Sequence, residues 1–279
     1  MNIEDAVKLI RGRRGTKVKL EILRNGNSFY KSLLRERIEI KSVTSKINQT
    51  KDGLLIGYVR LKQFNANASK EMKDTLKDLE IKKVSGYVLD LRSNPGGLLE
   101  SSIDISRQFI DKGIIVSTLS KDGLKEIKRA NGKVLTKKPL IVLVNEGSAS
   151  ASEIVSGAIR DNNRGKLVGQ KTFGKGLVQS MRTLVDGSGL TVTVAKYLTP
   201  NGTDINKFGI TPDIVVKMNS NPILQREIGT KRDRQYRAGE KALIKIIKKN
   251  KLVSQFKPRS VNLLAVFKNK ENNFVYSLN

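Results

Sequence analysis

An α/β protein with a mostly parallel sheet covered on both faces is the fold class this sequence predicts. Three observations carry the reading. Val84–Leu91 and Leu140–Val144 are near-continuous apolar runs of strand length, as expected for strands buried on both sides. Each is followed by a segment with helical apolar spacing. Both runs end in glycine-containing turns, and in such sheets functional residues gather at the carboxyl ends of the strands.

Along the chain, Ile3, Ala6, Val7 and Ile10 recur at helical spacing, and Gly12 supplies a stop. Val18, Leu20 and Ile22 alternate as a half-buried strand that closes at Asn25-Gly26, a strong hairpin signal. One helix and a hairpin cannot bury a core of their own, so this opening reads as the back end of a small domain whose front is missing. Ile38–Ile40 and Leu54–Leu61 read as strands, and 67–80 as a helix with Met72, Leu76 and Leu79 inward. After Val84–Leu91 comes a helix with Leu99, Ile103, Ser106 and Ile110 in register. After Leu140–Val144 comes another, from about Ala151 to Arg160. Residues 219–279 form a basic extension in which Gln235–Lys249 reads as an amphipathic helix.

Composition narrows the chemistry. The 279 residues include no cysteine and no histidine, which removes disulfides, thiolate nucleophiles, the Ser-His-Asp triad and His-based zinc hydrolases. A general base must then be Lys, Asp, Glu or Tyr, and no cofactor or metal is expected. The formal charge is +27, yet the lysines are scattered and aromatics make up 5% of residues, so a solvated basic surface is expected rather than a nucleic-acid platform. No apolar run approaches the ~18 residues needed to span a bilayer. The N-terminus has no basic and apolar leader pattern.

Two segments carry chemistry. Asn145-Glu146-Gly147-Ser148-Ala149-Ser150-Ala151-Ser152-Glu153 follows an apolar strand and opens a helix, where backbone N–H groups and the positive dipole end can stabilise an oxyanion. Ser150 with Glu153 is equally a capping box, and taken alone this pattern is a cap more often than a nucleophile. The second segment, Lys171-Thr172-Phe173-Gly174-Lys175-Gly176, offers a lysine between glycines that can enter a tight, water-poor site. Desolvation there would favour the neutral amine that accepts a serine proton. Lys171 is the rival, and a solvated loop is the plain alternative.

These segments resemble the C-terminal processing peptidases, or tail-specific proteases, which use a Ser–Lys pair. The family signature around its catalytic serine is similar to residues 147–153, its lysine lies 25 positions on, and its Asp-Leu-Arg-x-Asn-Pro-Gly-Gly turn resembles residues 90–97. Tyr197-Leu198-Thr199-Pro200 and Gly209-Ile210-Thr211-Pro212-Asp213 also match, so the resemblance spans about residues 3–216. It implies Ser150 as nucleophile, Lys175 as base, Gln179 as the residue that positions the lysine, and the N–H groups of Gly96 and Ala151 as oxyanion hole. It further implies a crotonase/Clp-protease-like catalytic domain of ββα units over residues 37–218, with residues 1–36 as the C-terminal part of a PDZ domain that lacks its carboxylate-binding loop. The expected partners are proteins with accessible C-terminal tails, in a periplasm or thylakoid lumen. Two other hypotheses stand beside the peptidase: a weakly catalytic tail-binding scaffold, and an anionic-polymer binder driven by the charge.

Overall fold

A computed structural model of the chain describes residues 2–36, 41–218, 225–255, 267–268 and 274–275. It contains two compact units, residues 1–41 and 42–279.

In the first unit, α1 (Ile3–Ile10) is capped by Asn2, whose side-chain oxygen accepts the Asp5 N–H at 2.8 Å. β1 (Lys17–Arg24) and β2 (Asn27–Leu34) form an antiparallel hairpin. Asn25 and Gly26 turn the chain at φ 53° and 80°, as a two-residue primed turn requires. Arg35 ties the pieces together, donating to the Ile10 and Leu9 carbonyls and to Thr16 Oγ1. No residue of α1 is buried within this structure, in keeping with an element too small to make its own core.

The second unit holds a six-stranded sheet in the order β12-β9-β8-β5-β4-β3. Its strands are β3 (Val43–Gln49), β4 (Leu55–Leu61), β5 (Gly86–Asp90), β8 (Leu140–Val144), β9 (Lys166–Gly169) and β12 (Ile214–Val215). All pair in parallel except the edge strand β3, which is antiparallel to β4. Side chains alternate across it. Val59, Leu61, Leu89, Val142 and Val144 face α2 (Ala68–Ile81), α3 (Leu99–Phe109) and α4 (Ala151–Asp161). Ile56, Tyr58, Val88, Ile141, Leu143 and Val168 face α5 (Arg234–Gln255) through Tyr236, Leu243 and Ile247. A second, antiparallel sheet runs β10-β11-β6-β7, from β10 (Leu177–Thr183), β11 (Gly189–Leu198), β6 (Ile114–Ser120) and β7 (Lys125–Arg129). β13 (Phe267–Lys268) and β14 (Phe274–Val275) make a short pair.

Most expected elements stand where the periodicity put them, within one or two residues. The expected strand Ile38–Ile40 falls outside the described residues. Within the expected basic extension 219–279, α5 packs on the sheet through Tyr236, Leu243 and Ile247 and forms one of the three layers. The antiparallel sheet was not anticipated either. Its strands carry Lys, Thr and Ser at alternate positions, so they lack the continuous apolar run that marks a doubly buried strand.

Candidate active site

Ser150 sits at the junction of β8 and α4, as N-cap of a helix whose residues Ala151–Ile159 are all buried. Its backbone adopts φ 54°, ψ −114°. That is a rare region for a residue with a Cβ and costs of order 1–3 kcal/mol unless the surroundings enforce it.

Two turns enforce it. The Asn94 carbonyl accepts the Ala149 N–H at 3.0 Å and the Ser152 hydroxyl at 2.9 Å. Asn145 Oδ1 accepts the N–H groups of Ser93 (2.7 Å) and Gly147 (3.1 Å), and Ser148 Oγ donates to the Leu91 carbonyl at 2.8 Å. The turn at 90–97 is thus stitched to the turn at 145–150. Gly96, at φ 105°, lies so close that a Cβ there would stand 2.9 Å from Ser150 Cβ and 3.0 Å from Ala151 N. At Gly97, φ 143°, a Cβ would meet the Phe64 carbonyl oxygen at 2.2 Å. Glycine at these two positions is therefore a steric requirement.

Glu153, with 0% of its surface exposed, joins the nucleophile segment to the lysine segment. Oε2 accepts the Ser150 N–H and the Lys175 N–H, each at 2.9 Å. Oε1 accepts the Thr172 hydroxyl at 2.6 Å and the Gly174 N–H at 2.8 Å. Thr172 Oγ1 in turn accepts the Ile210 N–H at 2.7 Å, which anchors the loop in the body of the domain. The glutamate half of the expected capping box is present, and it does more than cap: one buried carboxylate fixes both chain segments.

Of the expected site residues, the structure brings together Ser150, Ala151, Gly96 and the Lys175 backbone. Ala151 N–H, in the first turn of α4, has no acceptor among the described residues. The Gly96 N–H donates to Asn94 Oδ1 at 2.9 Å, so this expected oxyanion donor is engaged within its own turn. The Lys175 side chain is exposed, while Gly174 and Gly176 on either side are buried. The glycines are the part of the loop that packs, and the lysine between them is exposed in this structure. No hydrogen bond among the described residues joins its amine to Ser150 or to Gln179. Gln179 itself is exposed on β10, at the Val178/Gln179 register shift.

Behind the first turn lies a buried ionic network. Arg92 forks onto Asp90 (Nε–Oδ1 2.9 Å, Nη2–Oδ2 2.5 Å) and onto Asp233 (Nη1–Oδ1 3.0 Å, Nη2–Oδ2 2.6 Å), and Tyr58 donates to Asp90 Oδ2 at 2.6 Å. Burial alone would raise the Asp233 carboxyl, but the Arg92 hydrogen bond and charge, with the N–H groups of Gly229 and Tyr236, hold it below the ordinary carboxylate range. Burial likewise opposes the charge on Arg92, and the two carboxylates outweigh it and push its pKa up. Asp233, which precedes α5, so clamps that helix to the turn at 90–97. Sequence reasoning missed Asp233, Asn94 and Asn145 as site supports. Asn94 gave a faint signal as an Asx residue in a turn; Asp233 gave none, being 141 positions from its partner.

A strained serine at a strand-to-helix turn, beside a free helix N–H, is a layout suited to nucleophilic acyl transfer. Comparison with known proteins narrows this class. The Peptidase family S41 model matches residues 55–216, more than half of the chain, and the chain belongs to that family. It is 47% identical over 241 residues to a carboxyl-terminal-processing protease of Synechocystis sp., a match covering 85% of this chain and 56% of the relative. With the carboxy-terminal processing protease CtpA of Bacillus subtilis the identity is 38% over 282 residues, covering 97% of this chain and 59% of the relative. Among solved structures, a photosystem II D1 C-terminal processing protease aligns at a TM-score of 0.61 and 37% identity, over 78% of this chain and 60% of that one. The chain thus spans less than two thirds of the length of these relatives.

Proposed function

We propose that the chain carries the catalytic part of a serine endopeptidase that cuts polypeptides near their C-termini, with Ser150 as nucleophile and Lys175 as base. The observation that carries this reading is Glu153, which holds the Ser150 and Lys175 backbones on one carboxylate oxygen and keeps the serine in its strained conformation. Ser150 Oγ attacks the scissile carbonyl and gives its proton to neutral Lys175, and the Ala151 N–H faces the developing oxyanion. Gly96 serves as second donor when its N–H is shared between Asn94 Oδ1 and that oxyanion. The protonated lysine then returns the proton to the leaving amine, and water hydrolyses the acyl-enzyme. The lysine swings inward from its exposed position as substrate covers the site, and Gln179 orients it. Partners are protein tails, as the names of the relatives suggest. We read the fold as crotonase/Clp-protease-like, supported by the β3-β4-α2 order, and residues 1–36 as the end of a PDZ domain, supported by the α1 and hairpin arrangement. The test is Ser150→Ala, assayed on an unstructured polypeptide such as casein. Cleavage should vanish with folding intact; an unaltered rate, with contaminating proteases excluded, overturns the assignment.

A further inference from the structure

A cavity of about 230 Å³ opens on the α5 side of the sheet, lined by Lys46, Arg60, Lys62 and Arg226 with Thr44 and Tyr58. The register explains the crowding of charge. Thr44 pairs with Arg60 and Lys46 with Tyr58, and the Lys62 N–H continues the ladder to the Ser42 carbonyl at 2.8 Å. Residues directly opposite in an antiparallel pair share a face, so Lys46, Arg60 and Lys62 project together.

Some of this charge has an internal partner. Asp90 is in register with Arg60, and Asp90 with Asp233 leaves one net negative charge after Arg92 is counted. Lys46 faces that charge, with its amine donating to the Ile228 carbonyl at 2.7 Å and lying 5.1 Å from the centre of the Tyr58 ring. The remaining cations, Arg60, Lys62 and Arg226, form no ion pair among the described residues. Arg60 Nε is buried without a hydrogen-bond partner among the described residues. A cavity walled by three cations that no carboxylate among the described residues pairs with is suited to an anion.

We propose that this cavity binds a small polyvalent oxyanion of the phosphate class, taken up by Arg60, Lys62 and Arg226 with the Thr44 hydroxyl at its wall. The guanidinium forks match tetrahedral oxyanions, and the volume suits inorganic phosphate or pyrophosphate. The site uses none of the residues placed in the peptidase reaction, so its fate is independent of that reading.

The test is isothermal titration calorimetry with inorganic pyrophosphate, at an ionic strength held constant with sodium chloride. One saturable site is expected. Arg60→Gln combined with Lys62→Gln should weaken it tenfold or more, while Lys121→Gln with Lys125→Gln, in the β6–β7 turn and at the start of β7, should leave it within twofold. If the first pair disturbs folding, Lys62→Gln with Arg226→Gln, both at exposed positions, serves in its place. The absence of a saturable site, or equal weakening by the two pairs, overturns the proposal and leaves a diffuse basic surface. Phosphatidylcholine vesicles carrying phosphatidic acid separate the sources of the phosphate. Retention that the first pair abolishes assigns a lipid monoester to the same cavity, and no retention beside pyrophosphate binding assigns a soluble anion.

Discussion

Replacing Glu153 by Gln keeps the shape of the buried carboxylate and removes its charge. Four donors converge on it: the Ser150 and Lys175 N–H groups on Oε2, and the Thr172 hydroxyl and Gly174 N–H on Oε1. The amide NH₂ cannot face Ser150 and Lys175, since neither N–H can accept. It must turn toward Thr172, whose hydroxyl can, and this orphans the Gly174 N–H. One buried donor left unpaired costs about 1–3 kcal/mol, and three charge-assisted bonds reduced to neutral ones lose about 1 kcal/mol each. The sum is roughly 4–6 kcal/mol, a large fraction of a typical domain stability of about 5–15 kcal/mol. At about 2–4 °C per kcal/mol for a domain of this size, the midpoint of thermal unfolding should fall by roughly 8–24 °C. Peptidase activity, measured well below that midpoint, should fall at least tenfold, because the Gly174 bond is lost and the Ser150 and Lys175 bonds are weakened, which loosens the alignment of the two segments. A variant that unfolds within about 2 °C of the parent and cleaves at the parental rate would refute the view that this carboxylate assembles the site.

Lys175→Arg keeps the charge but supplies no proton acceptor, so cleavage should drop by several orders of magnitude, while Lys171→Ala stays within a few fold; a lysine-free dyad is indicated if Arg supports turnover. Asp233→Asn breaks one arm of the buried network, and loss of about 3–5 kcal/mol is expected in urea unfolding at neutral pH. Because the folded Asp233 carboxyl titrates below its unfolded value of about 4, its contribution is complete above that pH and disappears as the pH falls through the folded value. The gap between parent and Asn variant should therefore close below about pH 4, and a gap that stays constant from neutral to acid pH contradicts this. Gly97→Ala should fail to fold or lose most of its activity, since a methyl would penetrate the Phe64 carbonyl, against a mild effect for Gly123→Ala, whose added Cβ meets nothing within 4 Å.

Local pattern was enough to place β4, β5 and β8, the helices behind them and both glycine turns, while the short parallel strands β9 and β12 gave no readable signal. Val84–Leu91 and Leu140–Val144 are apolar throughout because both faces are covered, and Asn25-Gly26 turns the first hairpin because positive φ is cheapest there. The serine motif could be found for the same reason, as its small residues and its position after an apolar strand are properties of adjacent positions. Taken alone, however, the motif is a cap more often than a nucleophile.

What the sequence by itself determined was the kind of layer, the chemistry left open by the absence of His and Cys, and the short segments where that chemistry sits. Only the tertiary structure decided how the segments meet. It made Glu153 a bridge between Ser150 and Lys175, turned the Gly96 N–H toward Asn94, and set the Lys175 side chain outward. It also drew Asp233 from across 141 positions to lock α5 over the sheet. Spacing of apolar residues reports which face of an element is buried. Which polar group from a distant segment satisfies a buried donor depends on the packed arrangement of the whole domain, and that information is held in no local stretch of the chain.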